Sequence, residues 1–167
     1  MSTFPPPLSP LSPAGLAARS ITITLLRVGP IEAPLPRYQT SGSAGMDLHA
    51  AVADEVVLPP LGRHLFPTGL ALAIPEGYEG QVRPRSGLAT NLGVTVVNSP
   101  GTIDSDYRGE IRVALVNLSH VAVRIAPLQR IAQLVIAPIT RAELMEVSEL
   151  PATDRGDGGY GSTGRGV

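Results

Sequence analysis

The chain contains no cysteine, which excludes disulfides, thiolate nucleophiles and cysteine-ligated zinc. It contains no lysine either, and all 13 basic residues are arginine. That excludes the phosphate grip of a P-loop, which needs a lysine after its second glycine, and it excludes Schiff-base catalysis. Aromatic residues are scarce, 4% of 167 against 43% apolar, so one domain's core has to be built from Val, Leu, Ile and Ala. No apolar run approaches the roughly 20 residues needed to span a bilayer. A formal charge of −1 leaves no excess of cations to face a nucleic-acid backbone. His49, His64 and His120 stand too far apart for an HExxH pair, and Ser41–Gly45 (SGSAG) has serine where a nucleophile elbow begins with glycine. The chemistry left to this chain uses carboxylates, arginines, hydroxyls and backbone groups.

Three stretches differ in composition. Residues 1–20 carry five prolines and no acid, and read as a disordered extension. They lack the apolar run of a signal peptide and the arginines of a mitochondrial presequence, so the expected location is cytoplasmic. Residues 21–150 form the body. ITITL from Ile21 alternates with period two, the mark of a half-buried strand, and similar runs follow: EVVL, LALAI, GQVRP, GVTVV, EIRVALVN, VAVRI and AQLVIAP. Such spacing predicts an all-β sandwich, barrel or jelly roll, with one short helical turn at SGLATNLG, 86–93. Residues 151–167 form an arm with six glycines in its last twelve positions and almost nothing to bury. A frayed tail is its plain reading. Yet Arg155, Tyr160, Ser162 and Thr163 are interleaved with glycine, a pattern that can order over a phosphorylated ligand.

Four further segments carry polar side chains where chemistry can use them. NSPGTIDSDYRGE (98–110) places Asp104, Asp106, Tyr107 and Arg108 in one hairpin-like turn. Solvated turns use the same residues. SAGMDLHA (43–50) puts Asp47 after Gly45 at the entry to a strand; an ordinary turn carboxylate is the plainer reading, yet one carboxylate suits a Mg²⁺ shared with substrate phosphates. PRSGLA (84–89) aims Arg85, the Ser86 hydroxyl and N–H groups at an anion, or else Ser86 only caps the helical turn. RIAQLVI (130–136) sets Gln133 in an apolar strand, where it needs a partner or an edge facing water.

The succession AGMDLHA, RSGLA, GTIDSDYRGE, RIAQL and RGDGGYGSTG resembles the five motifs of the trimeric deoxyuridine triphosphatases, over residues 21–165. The resemblance implies a homotrimer of distorted jelly rolls with three active sites, each shared among subunits. The implied reaction is dUTP plus water to dUMP and pyrophosphate with Mg²⁺, which keeps uracil out of DNA and supplies dUMP for thymidylate synthesis. It makes Asp104 the catalytic base for in-line attack of water on the α-phosphorus. It makes Asp47 the acid that holds the metal through water. Arg85, Ser86, Gly87 and Gln133 become contacts to the phosphate chain, and Arg155, Ser162 and Thr163 contacts of the closing arm. Asn98 opens the hairpin that reads uracil, Tyr107 packs under deoxyribose, and Tyr160 takes a stacking position where the family usually has phenylalanine. His49 is left as structural. Partners are dUTP and two further copies of the chain, with no nucleic acid and no membrane. Two other readings remain: a dCTP deaminase of the same fold superfamily, which wants a different hairpin, and a non-catalytic nucleotide sensor, which should have lost a catalytic residue or the arm.

Overall fold

Short apolar runs interrupted every ten residues or so by Pro, Gly or Asn have no length for long helices, and strands dominate. The computed structural model describes residues 20–158. Among them the order is β1 (Thr24–Arg27), β2 (Met46–His49), β3 (Val56–Leu58), β4 (Arg63–Pro67), β5 (Leu70–Ala73), β6 (Tyr78–Pro84), α1 (Ser86–Leu92), β7 (Val94–Val96), β8 (Gly101–Ile103), β9 (Arg112–Asn117), β10 (Val123–Ile125) and β11 (Arg130–Pro138). The expected all-β class with one short helix is the observed one. Tyr160, Ser162 and Thr163, expected to act in the arm, and most of the proline-rich extension lie outside the described residues.

The strands pair antiparallel in small sheets, ordered β2-β11-β6-β8 and β4-β9-β7, with the two-stranded ladders β1-β5 and β3-β10 beside them. Sequence neighbours mostly sit in different sheets, so the chain crosses repeatedly over one core. That core takes Leu48 from β2, Leu58 from β3, Phe66 from β4, Leu70 from β5, Val82 from β6, Leu115 from β9, Ile125 from β10 and Leu134 from β11. Phe66 is the one aromatic among these buried residues, as the composition requires. β9 shows the alternation best: Val113, Leu115 and Asn117 point inward while Arg112 is exposed. Buried Asn117 is fully bonded. Its Nδ2 donates to Leu58 O (2.9 Å) and Val121 O (2.7 Å), and its Oδ1 accepts from Ser119 N (2.9 Å) and Ser119 Oγ (2.7 Å).

Three departures from the pattern have physical causes. The first strand begins at Thr24 rather than Ile21, and all four of its residues are exposed, with Leu26 at 64%. Its alternation is that of a half-buried strand, but among the described residues β1 has only β5 as a hydrogen-bonded neighbour. β4 (RHLFP) has too many polar residues to read as a strand; it is held by five register pairs with β9 and buries only Phe66. Gly101–Ile103, read as a turn, is strand β8, because Gly80–Val82 of β6 supplies a ladder that no local signal announces.

Candidate active site

The first constellation is built where β2, β6 and β11 adjoin. Asp47 on β2 faces Gln133 on β11, and Gln133 faces Arg83 on β6. The β2-β11 ladder shifts register between Arg130 and Ala132, and such a bulge re-aims the side chain beside it. Arg130 thereby reaches Asp47, its Nη1 lying 3.2 Å from Oδ2, while Arg85 Nε lies 2.9 Å from Oδ1. Asp47 is 12% exposed, so both arginines grip a carboxylate largely out of water. Nothing local in the sequence singles out Arg130; its reach to Asp47 depends on the bulge, which only the fold reveals.

Gln133 is not at an edge. It lies on the strand between β2 and β6, and its Nε2 donates to Pro84 O at 3.0 Å. Gly45 makes room for it: a Cβ there would strike Gln133 Oε1 and stand 3.1 Å from Cδ. Gly45→Ala is therefore expected to push the amide out of place and lower kcat/KM for the chain's substrate about tenfold or more. Steady-state kinetics checks this, and an unchanged kcat/KM would release Gln133 from the site.

Helix α1 starts beside this pair. Arg85 is its N-cap residue, with extended φ −92° and ψ 129°, and its side chain makes no capping hydrogen bond among the described residues. Ser86 thus begins the helix rather than capping it, so capping does not account for its hydroxyl. The helix ends at Gly93, whose left-handed φ of 66° favours glycine and whose N–H returns to Ala89 O at 3.2 Å. Gly45, Asp47, Arg85, Ser86, Gly87, Arg130 and Gln133 together line a cavity of about 320 Å³. Its donors, a short helix start and paired guanidinium groups, are those an anion uses.

His49, two residues beyond Asp47, borders the adjoining hollow with Arg37 and Arg130. Burial lowers its pKa, Asp47 opposes that, and the charges of Arg130, Arg85 and Arg37 reinforce it. Its buried Nδ1 has no hydrogen-bond partner among the described residues.

The second constellation is the hairpin after β7. Asn98, Gly101, Asp104 and Tyr107 line a cavity of about 300 Å³ with Val82, Val96 and Leu65, at the small end of the roughly 300–1,000 Å³ of ligand pockets. Gly101 lets the Asn98 amide lie close; a Cβ would stand 3.1 Å from Nδ2. The Ser99–Pro100 peptide between them is cis. A turn closes from Tyr107 N to Asp104 O at 3.2 Å, and Arg108 Nη1 ties it down through Ser105 O (2.7 Å) and Tyr107 O (2.8 Å). Asp104 also borders a second hollow, with Glu79, Asp106, Arg108 and Arg141, so its carboxylate lies between two openings.

Among the described residues these constellations line separate cavities. The cavity of Asp104, Asn98 and Tyr107 shares no lining residue with that of Asp47, Arg85, Ser86, Gly87 and Gln133. Arg155 borders neither; its Nε donates to Gly158 O at 2.8 Å in a local turn.

The fold, small antiparallel sheets crossing over one core, is the jelly-roll class. The family model described as dUTPase matches residues 31–164. The deoxyuridine 5'-triphosphate nucleotidohydrolase of Fusobacterium nucleatum is 51% identical over 147 residues, covering 88% of this chain and 99% of that protein. The enzyme of that name from Anaeromyxobacter sp. is 58% identical over 147 residues, covering 87% and 99%. Among solved structures, the Staphylococcus bacteriophage 80alpha dUTPase with dUPNHPP matches with a TM-score of 0.78 at 28% identity, over 86% of this chain and 99% of that one. A mutant dUTPase from phage phi11 of S. aureus, described with a structural Mg(II) ion, matches at a TM-score of 0.70 and 25% identity, over 78% and 99%. The chain belongs to the dUTPase family.

Proposed function

We propose that this chain hydrolyses dUTP to dUMP and pyrophosphate, limiting uracil in DNA and supplying dUMP. Family membership together with the intact Asp104 hairpin carries this reading. Asp104 acts as general base, orienting and deprotonating a water for in-line attack on the α-phosphorus while pyrophosphate leaves. Among the described residues no side chain or backbone group bonds its carboxylate, which leaves it available to a water. Asn98 and the hairpin backbone read uracil, and Tyr107 packs against deoxyribose. Arg85, Ser86, Gly87 and Gln133 receive the phosphates. Arg155, Ser162, Thr163 and Tyr160 close over them as the arm of another subunit.

The residues around Asp47 fit Mg²⁺ in one way only. Both carboxylate oxygens already accept from arginine, and among the described residues no group of three His, Asp or Glu side chains could hold a metal. A cation carried by the substrate phosphates, with water between it and Asp47, suits this donor set. When bound, Mg²⁺ neutralises charge on the phosphate chain.

The working unit is a homotrimer with shared sites. Asp104 and Asp47 line different cavities of the chain, as expected of half-sites completed by another copy. The segment after β11 supports this: Leu144, Met145 and Leu150 are 97%, 83% and 80% exposed, apolar side chains with no cover of their own. Among the described residues no helix is long and apolar enough to cross a membrane, and we place the enzyme in the cytoplasm without nucleic-acid or membrane partners.

The test is pyrophosphate release from dUTP, dCTP, dTTP and UTP in parallel with Mg²⁺. Release from dUTP alone is expected. Ammonia from dCTP would make the protein a deaminase, and tight dUTP binding without release would make it a sensor.

A further inference from the structure

Tyr107 is 43% exposed and has no core packing to fix it, yet a side chain that selects one sugar over another has to be held to within fractions of an ångström. Two neighbours hold it. Its hydroxyl donates to the backbone oxygen of Glu110 at 3.0 Å. That oxygen belongs to a residue pinned at its other end: Glu110 Oε1 accepts from Gly69 N at 2.9 Å and Oε2 from Arg112 Nε at 2.9 Å. Gly69 itself has a left-handed φ of 70°, so the anchor lies on a constrained turn between β4 and β5. The second neighbour is Gly109, which the phenol overlies. A Cβ at position 109 would stand 2.6 Å from Tyr107 Cζ and 3.0 Å from Cε2, closer than atoms pack. The ring can occupy its place beside Asn98, Gly101 and Asp104 only because residue 109 has no side chain.

We propose that Gly109 and Glu110 are positioning residues for sugar selectivity: the bare glycine gives the Tyr107 ring its seat and the anchored Glu110 carbonyl fixes its tilt. The inference rests on the dUTPase reading and deepens it, by locating discrimination against ribonucleotides in the turn that supports the ring. Since the ring is half exposed, a methyl at position 109 displaces it outward without opening the core, and the sugar pocket widens on the side that excludes a 2′-hydroxyl.

The experiment measures kcat/KM for dUTP and for UTP in the full-length enzyme, as wild type, Gly109→Ala, Tyr107→Ala and the double variant, with Tyr107→Phe alongside. Gly109→Ala is expected to reduce the dUTP-to-UTP ratio at least about tenfold. In the Tyr107→Ala background the same change is expected to leave the ratio where it is, because the group it acts through is gone. A merely structural role would lower both substrates' rates together and add to Tyr107→Ala. Tyr107→Phe keeps the ring and cuts the bond to Glu110, and its ratio is expected to fall by a smaller factor; it serves even if Gly109→Ala folds poorly. A wild-type ratio in Gly109→Ala, or full additivity in the double variant, overturns the role of Gly109. A wild-type ratio in Tyr107→Phe overturns that of the Glu110 carbonyl. A wild type that ignores dUTP altogether overturns the parent reading and this inference with it, whereas selective dUTP turnover with an unchanged Gly109→Ala ratio removes this inference alone.

Discussion

Replacing Asp104 with asparagine is expected to lower kcat for dUTP by at least ~10²-fold, with substrate binding kept, as befits a general base. Asparagine preserves the shape of the side chain and its place at the end of β8 but cannot accept a proton from water. The neighbouring carboxylate is the control. Asp106, two residues on, borders the hollow of Glu79 and Arg141 and is not among the residues lining the cavity of Asn98 and Tyr107. Asp106→Asn should therefore change kcat far less. Single-turnover kinetics, with calorimetric titration of a non-hydrolysable dUTP analogue, separates chemistry from binding. Unchanged turnover in Asp104→Asn would remove the base from this position. Equal losses from both variants would mean that the turn, not one carboxylate, was disturbed.

The sequence made these carboxylates visible but not their surroundings. Strands that bury one face, such as β9 with Val113 and Leu115 inward, announce themselves by alternation, and so does β10. β4 does not, because three of its five residues are exposed and only a ladder with β9, some fifty positions away, makes it a strand. The same limit governs the site. Asp47, Gln133 and the start of α1 could be picked out as polar groups at strand and helix ends. Arg130 could not, because its reach to Asp47 follows from a register shift between strands 83 positions apart. Glu110 was equally hidden: its carboxylate bonds Gly69, 41 positions away. The residues proposed to meet substrate left local signals, whereas Arg130 and Glu110, which hold their neighbours in place, act through long-range pairing.

Deleting residues 154–167 is expected to lower kcat/KM for dUTP by at least ~10²-fold while the body stays folded, since losing a closing element costs orientation and exclusion of water. The folded part has little to lose. From Thr140 to Asp157 every residue is exposed, and among the described residues the last backbone bond to the body, Ile139 N to Gly77 O at 2.9 Å, falls just before this stretch. The core ends with β11, so the circular dichroism spectrum and unfolding midpoint of the truncated protein should match those of the full chain. The two kinetic constants then divide the arm's roles. If closure stabilises the transition state, kcat falls; if the arm only adds grip on the triphosphate, KM rises and kcat stands. Arg155→Ala tests the second share within the full-length arm, because its guanidinium is the arm's first cation and among the described residues bonds only Gly158. A truncated protein that keeps full activity would take the arm out of the mechanism, and with it the reason for placing six glycines in the last twelve residues around one arginine, one tyrosine and two hydroxyls.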